Sequence, residues 1–377
     1  MSRFWFGLTL VLICGASWAQ DVVVPDPPEL GFKSHYLVDF DTGTVLAQSS
    51  ADEPLPPASL TKLMTAYVVF SALRDGRIRL DDEAPISEKA WRTGGTRMFV
   101  EVGSHVKVED LIHGMLIQSG NDASVALAEH VAGTVPEFVE LMNSSAQSLG
   151  MTHSSFRNPT GLPAAGHVST AHDLATLARA LIHDFPEYYG LYSQREFTYN
   201  GIRQHNRNAL LWRDPSVDGM KTGHTAAAGY CLVTSAQRNG MRLVAVIMGA
   251  KSPKARTNGA EQLLDYGFDA YETHKLYSAG QPISTARVWG GNPEVTPLGL
   301  AHDLFVTIPR GYYPSLSASM DLSMQLVAPV DEGTPVGEVK VRLGGNPLSQ
   351  VPLVALGQVG EGGLWTKIVD KIDLWLE

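Results

Sequence analysis

Ser59 and Lys62 stand three residues apart in the stretch Pro57-Ala58-Ser59-Leu60-Thr61-Lys62-Leu63-Met64. Pro56 and Pro57 stop what precedes them, and the apolar run from Ser59 onward reads as a helix. On a helix, that spacing puts both side chains on one face, one turn apart. An amine is then within reach of a hydroxyl. A serine hydroxyl is a poor nucleophile until a base takes its proton, and a buried lysine that has shed its charge is such a base. The same pair also suits an ordinary helix N-terminus, with Ser59 near the cap and Lys62 extending to water. By itself it decides nothing.

Two further polar groups follow in order. Ser119-Gly120-Asn121 sits at a break between helical runs, where the glycine lets the backbone turn and project both polar side chains. Lys221-Thr222-Gly223 opens a strand edge, where Gly223 lets a substrate backbone approach closely. Each tripeptide alone is a common turn or strand end. In this order, and on these elements, the three together point to serine acyl transfer.

The elements that must position them come from a chain of 377 residues, 44% hydrophobic and 18% charged, which is long enough for more than one domain. Residues 1–19 carry Arg3, an apolar run from Phe4 to Ile13 and a small-residue cleavage site at Ser17-Trp18-Ala19, the pattern of a secretory signal peptide. Its removal takes away Cys14 and leaves Cys231, in Gly229-Tyr230-Cys231-Leu232-Val233, as a small core residue. The exported chain then has no internal disulfide. A net charge of −10 argues against a nucleic-acid partner, which needs a basic patch.

Ser34 to Phe40 and Thr44 to Gln48 read as a hairpin around Asp41-Thr42-Gly43. Leu111 to Gly133 is helical on both sides of the Ser119 break, and Val135–Leu149 and Ala171–His183 are further helices. Asn158 to Val168 is an irregular loop. From Met220 the period changes to strand, with Gly229–Ala236 and Met241–Gly249 joined at Arg238-Asn239-Gly240. A helix over Gly259–Tyr271 closes the region. Strands at both ends with helices between give an α+β domain, an antiparallel sheet with a helical region, over residues 27–280. Residues 283–358, with short alternating runs such as Gly337-Glu338-Val339-Lys340-Val341-Arg342-Leu343, form a small all-β domain.

Residues 363–377 end the chain as an amphipathic helix, with Leu364, Trp365, Ile368, Val369, Ile372, Trp375 and Leu376 on one face. At ~1.5 Å per residue it is about 20 Å long and half polar, too short to span a membrane but suited to lie on its surface.

The stretches around Ser59, Ser119 and Lys221, together with Gln204-His205-Asn206-Arg207-Asn208, resemble the penicillin-recognising serine acyl-enzymes. More narrowly, residues 30–377 resemble a low-molecular-mass penicillin-binding protein, a serine-type D-alanyl-D-alanine carboxypeptidase of peptidase family S11. The resemblance implies the transpeptidase/β-lactamase-like fold, the D-Ala-D-Ala end of peptidoglycan pentapeptides as substrate, and β-lactams as inhibitors. It implies a periplasmic enzyme peripheral on the outer face of the cytoplasmic (inner) membrane. It assigns Ser59 as nucleophile, Lys62 as base, Ser119 as proton relay and Asn121 as holder of Lys62 and the substrate amide. Lys221, Thr222 and Arg256 would meet the substrate's carboxylate. Backbone N–H groups of Ser59 and His224, beside Gly223, would form the oxyanion hole. His167 matches a family loop histidine near the site.

No His-x-x-x-His pair with an acidic partner and no Walker-type phosphate loop occur, so neither metal nor cofactor is expected. A class A β-lactamase needs a glutamate in the loop after the Ser-Gly-Asn position, and Asn158 to His167 carries no Glu or Asp. An endopeptidase of the same family and a non-catalytic wall-binding scaffold are the remaining readings. The extra β domain and terminal helix favour the carboxypeptidase, and the intact motif residues disfavour the scaffold.

Overall fold

The structure, a computed structural model, describes residues 24–323, 325–365 and 370. The signal segment at 1–19 and nearly all of the terminal helix at 363–377 therefore lie outside the described residues. The chain divides into two compact units between His274 and Lys275.

In the first unit, alternating buried residues build one antiparallel sheet. Its strands are β1 (Ser34–Asp39), β2 (Val45–Ser49), β3 (Val217–Thr225), β4 (Gly229–Arg238) and β5 (Met241–Ala250), in the spatial order β2-β1-β5-β4-β3. The sequence places the start of β3 near Lys221, but the strand begins four residues earlier. Its near-complete burial removes the polar alternation that would have marked it. Along β5, Val244, Val246 and Met248 face one apolar cluster, while Leu243, Ala245 and Ile247 face another. Both faces of the sheet are thus covered.

One cover is helical: α1 (Thr61–Arg74), α2 (Asn121–Ala132), α3 (Val135–Ser148) and α4 (Ala171–Asp184). The other is α5 (Pro253–Ala270), which packs Ala260, Leu263, Leu264 and Phe268 on the back of the sheet. This back layer starts six residues before the helix expected at Gly259, because Ser252 caps it by accepting the Ala255 N–H and Pro253 suits the first turn. Thr134 and Thr170 cap α3 and α4 in the same way.

Helix α1 is the axis of the helical layer. Leu63, Met64, Ala66, Val69 and Phe70 are all inaccessible, and the buried set runs round every face. A helix apolar all round belongs inside a protein, and this one carries Lys62 into the interior with it.

The second unit has its own core. A six-stranded sheet runs in the order β8-β10-β11-β7-β6-β9, with β6 (Ser284–Trp289), β7 (Val295–Gly299), β8 (Leu316–Leu322), β9 (Leu326–Val327), β10 (Pro335–Leu343) and β11 (Asn346–Ala355). Only the β6–β9 pair is parallel among these. Val339, Val341 and Leu343 point inward from β10, as the alternation in the sequence requires.

Because Leu63 on α1 is fully inside the core, Leu63→Ala should lower stability by about 3 kcal/mol through a cavity that cannot collapse. Urea unfolding checks this, and an unchanged midpoint would contradict the central place given to α1.

Candidate active site

Ser59 lies on a short 3₁₀ turn, Ala58–Leu60, and α1 starts two residues after it at Thr61, not at Ser59 itself. The turn is tight: Ala58 has φ +50, a left-handed conformation that costs a non-glycine residue. The loop after Asn158 presses on it from outside. Gly161, at φ +83, has no room for a side chain, since a Cβ there would meet the Ala58 carbonyl oxygen at 1.8 Å.

Lys62 is fully buried. Its Nζ lies 3.3 Å from Ser59 Oγ, 2.7 Å from Asn121 Oδ1 and 2.6 Å from the Thr160 carbonyl oxygen. Burial pushes the amine down to about 7; the Asp122 carboxylate works against that shift and the Arg207 cation with it. The Thr160 carbonyl is aimed by Asn158, whose Oδ1 accepts from Thr160 N (3.1 Å), Thr160 Oγ1 (2.8 Å) and Gly161 N (2.8 Å). That is an Asx turn, built in the loop that composition marked only as irregular.

At the second motif the left-handed residue is Ser119 (φ +72), not the glycine the sequence suggested; Gly120 has φ −58. Glycine is required at 120 for space instead, because a Cβ would meet Asp122 Oδ1 at 2.9 Å and Met98 N at 3.1 Å. Ser119 is buried and its hydroxyl has no partner among the described residues. Asn121 opens α2, and its Nδ2 donates to Gly94 O at 2.7 Å. Asp122 accepts the N–H groups of Met98, Phe99, Val100 and Ala123, which ties residues 94–100 to the start of α2.

The third motif occupies the free edge of the sheet, on β3. Gly223 abuts the Ser59 turn: a Cβ would meet Pro57 O and Ser59 N at 3.1 Å each. Its lack of side chain thus serves strand-to-turn contact as well as any approach of substrate. Lys221 is buried, and its Nζ donates to Thr222 O at 3.0 Å. Burial drives its amine well below the ordinary lysine value, and the cations of Lys62, Arg207 and Arg256 push the same way. His224 is exposed and stacks on Tyr230, with ring centroids 4.0 Å apart.

A cavity of about 300 Å³ joins these pieces, with Ser59, Ser119, Arg207, Thr222, His224 and Arg256 on its walls. Arg256 is 7% exposed, and its Nε has no partner among the described residues. Arg207 had no assigned role in the sequence. Its signal was the polar alternation around it: Gln204, Asn206 and Asn208 turn inward to bond Met98 O, Gln194 O and Gly219 O, which leaves Arg207 facing the cavity. His167 sits elsewhere, beneath the turn. Its Nδ1 accepts from Arg157 N (3.4 Å), so Nε2 carries the proton and donates to Thr61 Oγ1 (2.9 Å). Burial, with the Arg157 cation, lowers it to about 4, so the ring is neutral.

A family model for D-alanyl-D-alanine carboxypeptidase matches residues 21–252, and one for the C-terminal domain of penicillin-binding protein 5 matches residues 271–361. This chain belongs to the D-alanyl-D-alanine carboxypeptidase family. It is 44% identical to the D-alanyl-D-alanine carboxypeptidase DacC of Escherichia coli K12, over 96% of this chain and 92% of that one. The carboxypeptidase also superposes on penicillin-binding protein 5 from Haemophilus influenzae with a TM-score of 0.85, at 41% identity, covering 89% of this chain and all of that one. A D-alanyl-D-alanine endopeptidase of E. coli K12 is 34% identical but matches only 59% of this chain and 73% of its own length.

In this carboxypeptidase the fit between Gly161 and Ala58 is tight enough to test. Gly161→Ala should displace the Ser59 turn and slow acylation by benzylpenicillin about tenfold or more. Intact-mass spectrometry over a time course measures it, and wild-type acylation in a folded variant would contradict the contact.

Proposed function

We propose that this carboxypeptidase releases the terminal D-alanine from D-Ala-D-Ala stems of peptidoglycan through an acyl-enzyme on Ser59. The observation that carries the reading is the set of partners around Lys62. A neutral amine has two N–H donors and one lone pair. The Thr160 carbonyl and Asn121 Oδ1 take the two donors, so the lone pair is left for Ser59 Oγ–H, 3.3 Å away. With an amine near 7, Lys62 removes the hydroxyl proton as Ser59 attacks the scissile carbonyl.

The remaining roles follow from position. The tetrahedral oxyanion is held by the N–H groups of Ser59 and His224, on the turn and strand that Gly223 allows to touch. The unpartnered Ser119 hydroxyl hands a proton from Lys62 to the leaving amine. Arg256 and Thr222 on the cavity wall, with Lys221 behind them, receive the substrate's terminal carboxylate. That anion supplies the counter-charge Lys221 lacks and favours its ammonium form. Water then hydrolyses the acyl-enzyme, and Lys62 and Ser59 return to their starting states. A β-lactam acylates the same hydroxyl and blocks it. The near-full-length match to a carboxypeptidase, against the partial match to the endopeptidase, supports release of one D-alanine over crosslink cleavage.

The location is part of the proposal. Residues 1–19 direct export, and the protein rests on the outer face of the inner membrane through its terminal segment. In support, Leu364 and Trp365 are 81% and 80% exposed. Asp370, from the polar side of that segment, is buried in ion pair with Arg287 (2.7 Å) and accepts from Gly290 N (2.6 Å). Asp370 thus turns to the β unit while Leu364 and Trp365 are left outward, ready for an interface.

Because Lys62 must be neutral to act, the acylation rate should rise with pH through about 7 and level off above it. Lys62→Arg should lower it by about 10³-fold. Stopped-flow acylation by benzylpenicillin between pH 5 and 9 tests both, and a flat wild-type profile would remove Lys62 as the base. For the terminal segment, Leu364→Ser with Trp365→Ser should weaken binding to anionic vesicles roughly tenfold while D-alanine release in solution is kept. Unchanged flotation with vesicles would end the membrane reading.

A further inference from the structure

The loop that brings the Thr160 carbonyl to Lys62 is fastened to α1 by side chains that the chemistry above does not use. Thr61 and Thr65 stand one turn apart on one side of α1, and both are inaccessible. Thr65 Oγ1 donates to the Pro159 carbonyl oxygen at 2.7 Å. Thr61 Oγ1 accepts from His167 Nε2 at 2.9 Å, while His167 Nδ1 accepts from Arg157 N at 3.4 Å. Two successive loop carbonyls are therefore taken by α1: Pro159 by Thr65, and Thr160 by Lys62 at 2.6 Å.

Packing alone does not set the loop in this place. Beyond Gly161, which meets Ala58, residues 162–165 run along a cavity of about 360 Å³ that they share with Pro56 and Pro57. A segment with a void beside it lacks the contacts that fix a close-packed one, so its anchors decide where it lies. One anchor stands before the cavity, at Pro159, and one after it, at His167. A neutral imidazole suits the second place because it accepts on one ring nitrogen and donates from the other. Here it joins the loop's own backbone to α1, and burial beside the Arg157 cation keeps it neutral.

We propose that Thr65 and His167 are positioning residues for the Lys62 amine: they fix the loop to α1 and so hold the Thr160 carbonyl on Lys62 Nζ. This rests on the reading of Lys62 as the base. With the carbonyl displaced, one N–H of the amine loses its acceptor, and the lone pair is no longer directed at Ser59 Oγ.

Stopped-flow acylation by benzylpenicillin, followed against pH on the full chain, tests this. Thr65→Val and His167→Leu remove the anchors, whereas Thr65→Ser keeps the hydroxyl and His167→Gln keeps a donor and an acceptor. Asp122, Arg207 and Lys221, the charged groups that act on Lys62, are unchanged in all four variants. Each variant without its anchor should acylate about tenfold more slowly at the high-pH plateau. Its midpoint should fall by about half a pH unit, because loss of the Thr160 acceptor disfavours the ammonium more than the neutral amine. Thr65→Ser and His167→Gln should return the midpoint to the wild-type value. A residue that served stability alone would lower the unfolding temperature and leave the rate constant and midpoint of the folded protein as in wild type. That result, or a midpoint that rises, overturns the proposal. Should one anchor variant fail to fold, the other and its conservative partner decide the matter. A flat wild-type profile would instead remove Lys62 as the base, and the positioning role with it.

Discussion

The Lys62 amine, fixed between the Thr160 carbonyl and Asn121 Oδ1, is the contact on which the rest of the site depends. A lysine carried into a core on a largely buried helix is costly to charge. Two acceptors at 2.6 and 2.7 Å favour the N–H donors without supplying a full counter-charge. The amine is thereby held near its midpoint, where it exchanges a proton at little cost. Each acceptor is itself held by a separate element: Thr160 by the Asn158 turn, and Asn121 by the Gly94 carbonyl. The amine is so placed only when three distant stretches of chain are in register.

Around that contact the electrostatics are one-sided. Lys62, Lys221, Arg207 and Arg256 lie close enough to act on one another. The nearest carboxylate, Asp122, is occupied by four backbone N–H groups and serves the loop at 94–100. A cluster of this kind is destabilising in the free protein and is relieved by an anion. An anion bound in the cavity would offset that repulsion and favour the charged form of Lys221.

Much of this was legible in the sequence, and the reason is chemical. Ser59, Lys62, Ser119, Asn121 and Lys221 announce themselves because their side chains are unusual for the elements they occupy, and the structure sets them around one cavity or directly behind it. The α+β layering followed from period changes, but the α5 layer behind the sheet did not. A strand buried on both faces loses the alternation that would report its second neighbour. The Thr160 carbonyl was invisible for a different reason: a backbone acceptor has no residue-type signal, and only the Asn158 turn betrays it. Arg207 needed the inward pinning of Asn206 and Asn208 before its outward direction could be read.

The placement of strain follows the same logic. Ala58 and Ser119, both non-glycine and both left-handed, sit next to Ser59 and on the wall of its cavity. Such conformations cost about 1–3 kcal/mol each, and nothing local to either residue offsets that. The offset comes from packing: Gly161 closes on Ala58, Gly223 closes on Ser59, and Gly120 fits between Met98 and Asp122. Three glycines thus do for this site what no polar residue could, by letting backbone meet backbone where a single methyl would force it apart. The hydroxyls are held in position by contacts that carry no charge and do not titrate, and this leaves the lysine as the group that responds to pH.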